Sequence, residues 1–372
     1  MITIFGIPSA ALFGQLLLGL INGSFYAMLS LGLAVIFGLL NIINFAHGAQ
    51  YMMGAFVGWM LLNYAGVSYW WALLLAPLAV GLFGILLDRN FIKPMNENNR
   101  LRSLVLVGSA ALCMLVLTYG FTANAGPALI RDIGINTTLA FALSAAFGVV
   151  TAHVWDRFGP AFLARADEHV DHLFGLLLTF GLALIIQGLF RNQYGVSGLP
   201  YGIPPQLTGG QQLRLFDTPI MFMPNYRGWV VVASLAICLL TWFVIEKTKL
   251  GAYLRAATEN PTLVGAFGVN VPLLITLTYG FGVALAAFAG VLAAPIYSVN
   301  PNMGADLIIV VFAVVVIGGM GSILGSIVTG FSLGLIEGLT KVFYPEASAT
   351  VIFVIMVLVL LVKPAGLFGR AA

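Results

Sequence analysis

Residues 12–40 form one predominantly apolar run without a single charge, and it breaks directly into Asn41-Ile42-Ile43-Asn44-Phe45-Ala46-His47-Gly48 before hydrophobic sequence resumes. A run of this length exceeds the roughly 20 residues needed to cross a bilayer. Hydrocarbon offers no partner for backbone or side-chain polar groups, so lipid-exposed irregular chain is excluded. An Asn/His/Gly interruption between two such runs therefore implies broken or re-entrant structure lining a cavity enclosed by protein.

Composition generalises this local constraint. Hydrophobic residues make up 60% of the chain and charged residues 8%, against about 25% charged in a soluble domain. The expected fold is all-α, a polytopic transmembrane helical bundle in a single integral-membrane domain over residues 1–372. The net charge of +3 comes from few groups and bears on topology, not on nucleic acid. Cys113 and Cys238 sit in apolar stretches without metal-like spacing, so small-residue packing is their expected role. The opening Met1-Ile2-Thr3-Ile4-Phe5 lacks a basic leader and is expected to be retained.

The span-length ruler finds about ten to eleven hydrophobic segments: residues 12–40, 49–66, 69–87, 104–122, 138–154, 172–190, 229–245, 271–294, 305–320, 323–342 and 348–362. The first is too long for one straight crossing, and 305–320 and 323–342 are almost contiguous; kinks or half-helices are expected there. Basic residues favour cytoplasmic loops. Placing the Arg89–Arg102 loop inside puts eleven Lys and Arg inside and five outside, with the N-terminus outside and the C-terminus inside.

Two loops stand out. Residues 191–228 are rich in Gly, Pro, Gln and Tyr and lack helical periodicity; they are expected to form an extracytoplasmic connector, long enough to meet a partner. Residues 246–270 are expected to be cytoplasmic. They carry Arg255-Ala256-Ala257-Thr258-Glu259-Asn260, then Gly265 and Gly268, with Pro272 in the first turn of the next span. Ala256 and Ala257 permit close approach of another protein surface, which Arg255 and Glu259 can anchor.

Several glycines recur at four-residue spacing, as Gly19/Gly23, Gly54/Gly58 and Gly330/Gly334/Gly338, and suit close helix packing. Gly318-Gly319-Met320-Gly321-Ser322 lies between two spans much as Asn44 to Gly48 does, which hints at an internal repeat. Either element can be a packing turn or part of a solute path. His47 can hydrogen-bond a solute or a neighbouring carbonyl. Glu337 and Lys341 are four apart and can neutralise each other along one helix face, while Asp306 suits a helix N-terminus.

The chain resembles the permease subunits of ATP-binding-cassette importers of the branched-chain amino-acid type, a group that includes amide and urea permeases. The likeness is carried by Leu16-Leu17-Leu18-Gly19-Leu20-Ile21-Asn22-Gly23-Ser24-Phe25-Tyr26, by the Asn44–Gly48 and Gly318–Ser322 elements, by Asn300-Pro301-Asn302-Met303-Gly304 and by Lys363-Pro364-Ala365-Gly366-Leu367-Phe368-Gly369. It implies a bacterial inner-membrane protein working by alternating access. Leu250–Phe267 would be a coupling helix seated on an ABC ATPase subunit, with Arg255, Ala256, Ala257, Glu259, Asn260, Gly265 and Gly268 at the contact. It further implies a second homologous permease subunit, an extracytoplasmic solute-binding protein, and ATP on the partners alone. No phosphate-loop motif occurs in the chain. Residues 101–171 depart from the pattern and are expected to be an inserted transmembrane hairpin. The expected translocation path is supplied by Asn22, Tyr26, Asn41, Asn44, His47, Gly48, Gly318, Gly319, Gly321 and Ser322.

Two other functional classes fit the sequence less well. Gly195-Val196-Ser197-Gly198 matches an intramembrane-protease pattern, but all four histidines precede Ser197, whereas that chemistry needs a later base. A passive channel or secondary transporter for a small polar solute is the stronger alternative. Ion coupling calls for several intramembrane carboxylates, and a facilitator has no use for the Ala-Ala-x-Glu loop.

Overall fold

The structure is a computed structural model that describes residues 3–4, 7–40, 44–89, 146, 149–150, 172–215 and 218–369. Short strands β1 (Thr3–Ile4) and β2 (Ile7–Pro8) precede α1 (Ser9–Leu40), α2 (Ala46–Ala65), α3 (Tyr69–Leu87) and α4 (His172–Tyr194). A hairpin of β3 (Gly210–Leu215) and β4 (Thr218–Pro224) leads into α5 (Asn225–Lys247), α6 (Lys249–Glu259), α7 (Pro261–Ala266) and α8 (Val271–Tyr297). Then come α9 (Met303–Gly318), α10 (Ile323–Phe343) and α11 (Val351–Val362). Six of these helices, α1, α3, α4, α5, α8 and α10, are long and apolar enough to cross a membrane. The expected all-α polytopic bundle is what the chain forms, with two short antiparallel strand pairs, β1–β2 and β3–β4, added among the described residues.

Two compact units emerge, one of residues 1–84 and 198–372, the other of 85–197. Within the described part of the second, α4 is an apolar helix that ends at Gly195, whose φ is +76°. The proposed hairpin over 101–171 lies outside the described residues except for 146, 149 and 150.

In the first unit α1 is central. Its 32 residues run as one uninterrupted helix, about 48 Å at 1.5 Å per residue, so of the expected kinks or half-helices the division into half-helices does not occur. It is apolar all round because protein surrounds it: α10, α8, α5 and α9 all pack on it. Hydrophobicity alone does not hold helices together in lipid, and close backbone contact does so only where side chains are absent. Along α1 and α10, Gly19 and Gly23 face Gly330, Gly334 and Gly338 so closely that a Cβ at Gly19 would stand 2.5 Å from the Gly334 carbonyl oxygen. The same device joins α2 to α8, where a Cβ on Gly290 would run into the Tyr51 carbonyl. By contrast α3 turns a stripe of exposed Trp71, Leu74, Leu78, Leu82 and Leu86 outward, as a lipid-facing surface should.

Of the two nearly contiguous segments expected to kink or form half-helices, α9 is short at 16 residues and α10 is a full-length helix of 21; α11, for which no such expectation was made, is shorter still at 12. Between α9 and α10, Gly319 and Gly321 hold positive φ values of +100° and +81°, which lets the chain reverse in four residues. The C-terminal Lys363–Gly369 segment folds back there: the Leu367 and Phe368 N–H groups donate to the Ile317 and Gly318 carbonyls at 2.8 and 3.1 Å. They satisfy acceptors that the end of α9 leaves open.

Residues 191–228 are more ordered than a periodicity-free connector. The β3–β4 hairpin lies there, and Leu199 pairs with Val299 across an isolated bridge. Aromatic side chains collect at this end of the bundle: the Tyr69 and Tyr226 hydroxyls are 3.1 Å apart, Tyr226 donates to the Leu292 carbonyl, and Trp59 donates to the Pro200 carbonyl. Such rings suit a membrane–water boundary. Burial beside Tyr69 pushes the Tyr201 hydroxyl in this loop up to about 12, so it stays a neutral phenol.

Candidate functional site

Helix α1 presents Asn22 and Tyr26 one turn apart, and α10 presents Glu337 and Lys341 one turn apart; the glycine contact brings the two pairs face to face. The Tyr26 hydroxyl donates to Glu337 Oε2 at 2.7 Å, Asn22 Nδ2 donates to Oε1 at 3.3 Å, and Lys341 Nζ donates to Oε1 at 2.5 Å. From the end of α8 the Tyr297 hydroxyl donates to Asn22 Oδ1 at 2.6 Å. Tyr297 is held by an edge-on ring contact with Phe25 and precedes Ser298, whose φ of +60° is unusual for a residue with a side chain. The Glu337 side chain is 9% exposed, that of Lys341 34%. The expected neutralisation of Glu337 by Lys341 is therefore present, but as part of a larger network that also holds two path candidates.

The second polar element is built differently. The Asn44 side chain accepts from the Ala46 N–H at 3.0 Å, which starts α2, and its Nδ2 donates to the Tyr279 hydroxyl at 2.8 Å. Gln50 Nε2 donates to the same hydroxyl at 3.3 Å. His47 Nε2 lies 3.1 Å from the Leu29 carbonyl of α1. Asn44, His47, Gln50 and Tyr279 are all buried. A Cβ on Gly48 would stand 2.6 Å from the Gly304 carbonyl of α9. Thus His47 takes a backbone carbonyl and Gly48 a packing position inside a helix, where a broken segment was expected. Asn41 lies outside the described residues.

The Gly318–Ser322 element and the 246–270 loop, which look unrelated in sequence, meet around one cavity of about 560 Å³. Its lining includes Gly38 of α1, Glu246 of α5, Arg255 and Glu259 of α6, and Gly321 and Ser322. Gly318 packs against Gly325 and Gly319 against Gly369, while Ser322 caps α10 through the Gly325 N–H. Of this element Met320, Gly321 and Ser322 line the cavity, and Gly318 and Gly319 do not.

Residues 250–267, expected to form a single coupling helix, fold as two helices, α6 and α7, because Asn260 ends one and caps the other by accepting from the Leu263 N–H at 2.9 Å. Gly268 turns with φ +84° and Gly265 has open space around it. Arg255 reaches the Ile245 carbonyl and Glu246, at 2.5 and 3.6 Å. Ala256 is exposed, but Ala257 is buried against Val264 and Val271. The expectation that both alanines offer an external surface is corrected for Ala257, which turns inward on the α6 face that packs on α7 and α8. Leu250, Tyr253, Leu263 and Phe267 are exposed instead, Phe267 by 80%. Spacing had not singled them out, although large apolar residues on a polar loop are the visible signal.

Comparison with known proteins gives a consistent result. The sequence model described as branched-chain amino acid transport system / permease component matches residues 15–360. The chain is 27% identical over 362 residues to the high-affinity branched-chain amino acid transport system permease protein LivH of Escherichia coli K12, covering 96% of this chain and 95% of that one. Identity to the permease protein BraD of Pseudomonas aeruginosa is also 27%, over 369 residues with the same coverage. Similarity extends to the fructose import permease protein FrcC of Rhizobium meliloti, 26% over 288 residues, covering 71% of this chain and 77% of FrcC. No solved structure matches.

Proposed function

This chain belongs to the branched-chain amino acid transport permease family, and from that premise we propose that it is the permease subunit of an ATP-driven importer of branched-chain amino acids or a closely related small polar solute. What carries the reading at the level of mechanism is the α6–α7 pair. One side is anchored on α8 through Ala257, Val264 and Val271, and the other carries exposed Leu250, Tyr253, Leu263 and Phe267. A facilitator needs no such projecting apolar surface; an ATPase groove would cover it. ATP is bound and hydrolysed on partner subunits. Their movement pulls on α6, which lines the same cavity as Gly321 and Ser322, and so reshapes one mouth of the path. Asn22 and Tyr26 supply polar groups farther along α1. A second homologous permease and an extracytoplasmic binding protein complete the assembly, in the bacterial cytoplasmic membrane.

Replacing exposed Ala256 with Trp should cut co-purification of the ATPase subunits and uptake while the melting temperature of the permease stays within about 1 °C, since surface changes cost little. Ala257→Trp should instead overpack α6 against α7 and α8 and lower stability by about 1–3 kcal/mol. Full ATPase association and uptake in Ala256→Trp would sink the docking surface. The basic-residue balance supports a cytoplasmic position for α6–α7 and an outer one for the β3–β4 hairpin. In a background lacking native cysteines, a membrane-impermeant thiol reagent added to intact cells should label Gln211→Cys and spare Thr262→Cys; the reverse pattern would invert the orientation.

A further inference from the structure

We propose that Glu337 is the group in the transport path that recognises an ammonium, with Lys341 holding that position until the ammonium of an α-amino-acid zwitterion takes it. The inference rests on the importer reading above.

Burying a carboxylate and pairing it with a lysine costs desolvation that the pair recovers only in part. The network is not needed to fasten α1 to α10, because the backbones already meet at Gly19, Gly23, Gly330 and Gly334. Nor is it closed. The Glu337 carboxylate is almost fully covered, yet the two groups at its margin are not: the Lys341 side chain is 34% exposed and Tyr297 45%. The carboxylate is therefore approachable from one side, past a flexible lysine stem. The Tyr51 hydroxyl of α2 is buried, within electrostatic reach of the network's Tyr26 and Tyr297, and has no hydrogen-bond partner among the described residues. A buried hydroxyl with unused capacity is costly unless something else uses it.

The chemistry selects a class of ligand. A primary ammonium has the same charge and the same three donors as Lys341 Nζ, so it can replace that group on Glu337 Oε1 with no change in the charge that Glu337 faces. The displaced Lys341 then finds its own partner in the solute carboxylate. An opened Glu–Lys pair is thus complementary to both ends of a zwitterion, with Tyr51 and Tyr297 as further hydrogen-bonding groups. A sugar or an uncharged amide can open neither end.

The test uses the complete importer in proteoliposomes containing ATP, with radiolabelled leucine and urea as probes. Glu337→Gln keeps the shape, with its Oε1 still accepting from Asn22 and its Nε2 able to donate to the Tyr26 hydroxyl in place of accepting from it, and combining it with Lys341→Met leaves no unpaired charge. The double variant should fold and melt like the wild type yet take up leucine at least about tenfold more slowly, the loss expected when a charge-assisted hydrogen bond is removed. Glu337→Asp should retain part of the uptake. Wild-type leucine uptake per folded complex in the double variant would overturn the proposal and leave the importer reading intact. Wild-type uptake of urea without leucine would do the same. Absence of ATP-dependent uptake of either probe by the wild type would overturn both.

Discussion

Two polar clusters sit inside one apolar bundle, and they differ in what lies at their edges. The cluster where α2 meets α8 uses neutral groups, Asn44, Gln50 and the Tyr279 hydroxyl, all buried. The cluster where α1 meets α10 is built on a charge and reaches the surface through Lys341 and Tyr297. The neutral set sits at the start of α2 and serves to position it. The charged set costs more than a positioning role requires. Polar residues in a membrane helix are therefore best judged by access and charge together, since burial alone describes both clusters.

The contrast can be broken hardest at the two glycine elements. Gly48→Leu would drive a side chain into the α9 backbone at Gly304 and should remove most folded protein, a penalty above the usual 1–3 kcal/mol of overpacking. Gly321→Leu faces the cavity, with Gly38 Cα 3.5 Å away, and pays chiefly for its positive φ. About 1–2 kcal/mol is expected there, with a larger fall in uptake per folded complex. Detergent-solubilised yield and vesicle uptake measured side by side would separate the two. Equal yields would show that the elements are interchangeable after all.

A smaller and sharper comparison removes one hydroxyl from each cluster. Tyr279→Phe takes away the acceptor shared by Asn44 and Gln50 and should cost about 1–3 kcal/mol, with uptake per folded complex unchanged. Tyr51→Phe deletes a hydroxyl that has no partner among the described residues, so the melting temperature should hold or rise slightly while uptake falls roughly twofold or more. A melting loss in Tyr51→Phe equal to that in Tyr279→Phe would make both clusters structural.

Helix positions were legible wherever a charge-free run met a charged or Gly/Pro boundary; α3 runs from Tyr69 to Leu87 as the run length predicts, and α8 and α10 start at the expected Val271 and Ile323. The β3–β4 hairpin was not, because Gly210 to Pro224 alternates too weakly to signal strands. At the site, Asn22 and Tyr26 were named as path candidates, and Glu337 and Lys341 stood out as a pair four residues apart. That the two pairs share one set of hydrogen bonds is a long-range fact of packing, carried by glycines whose spacing does not name their partner. The same gap concealed Tyr51 and Tyr297, which look like ordinary aromatic residues of a membrane helix. It also separated Gly321 from Arg255, which only the fold brings to one cavity.

The central place of α1 has a consequence for biogenesis. During synthesis this helix leaves the ribosome well before α10, since Asn22 and Glu337 are 315 residues apart. Its even apolarity lets it wait in lipid as a single span, but Asn22 and the Tyr26 hydroxyl must wait there without the carboxylate they will serve. Until α10 arrives, the Gly19–Gly23 notch is an open seat for any small-residue helix. Proofreading of this protein in the membrane therefore falls late, at the moment when α10 claims that seat and a carboxylate, not lipid, meets Asn22.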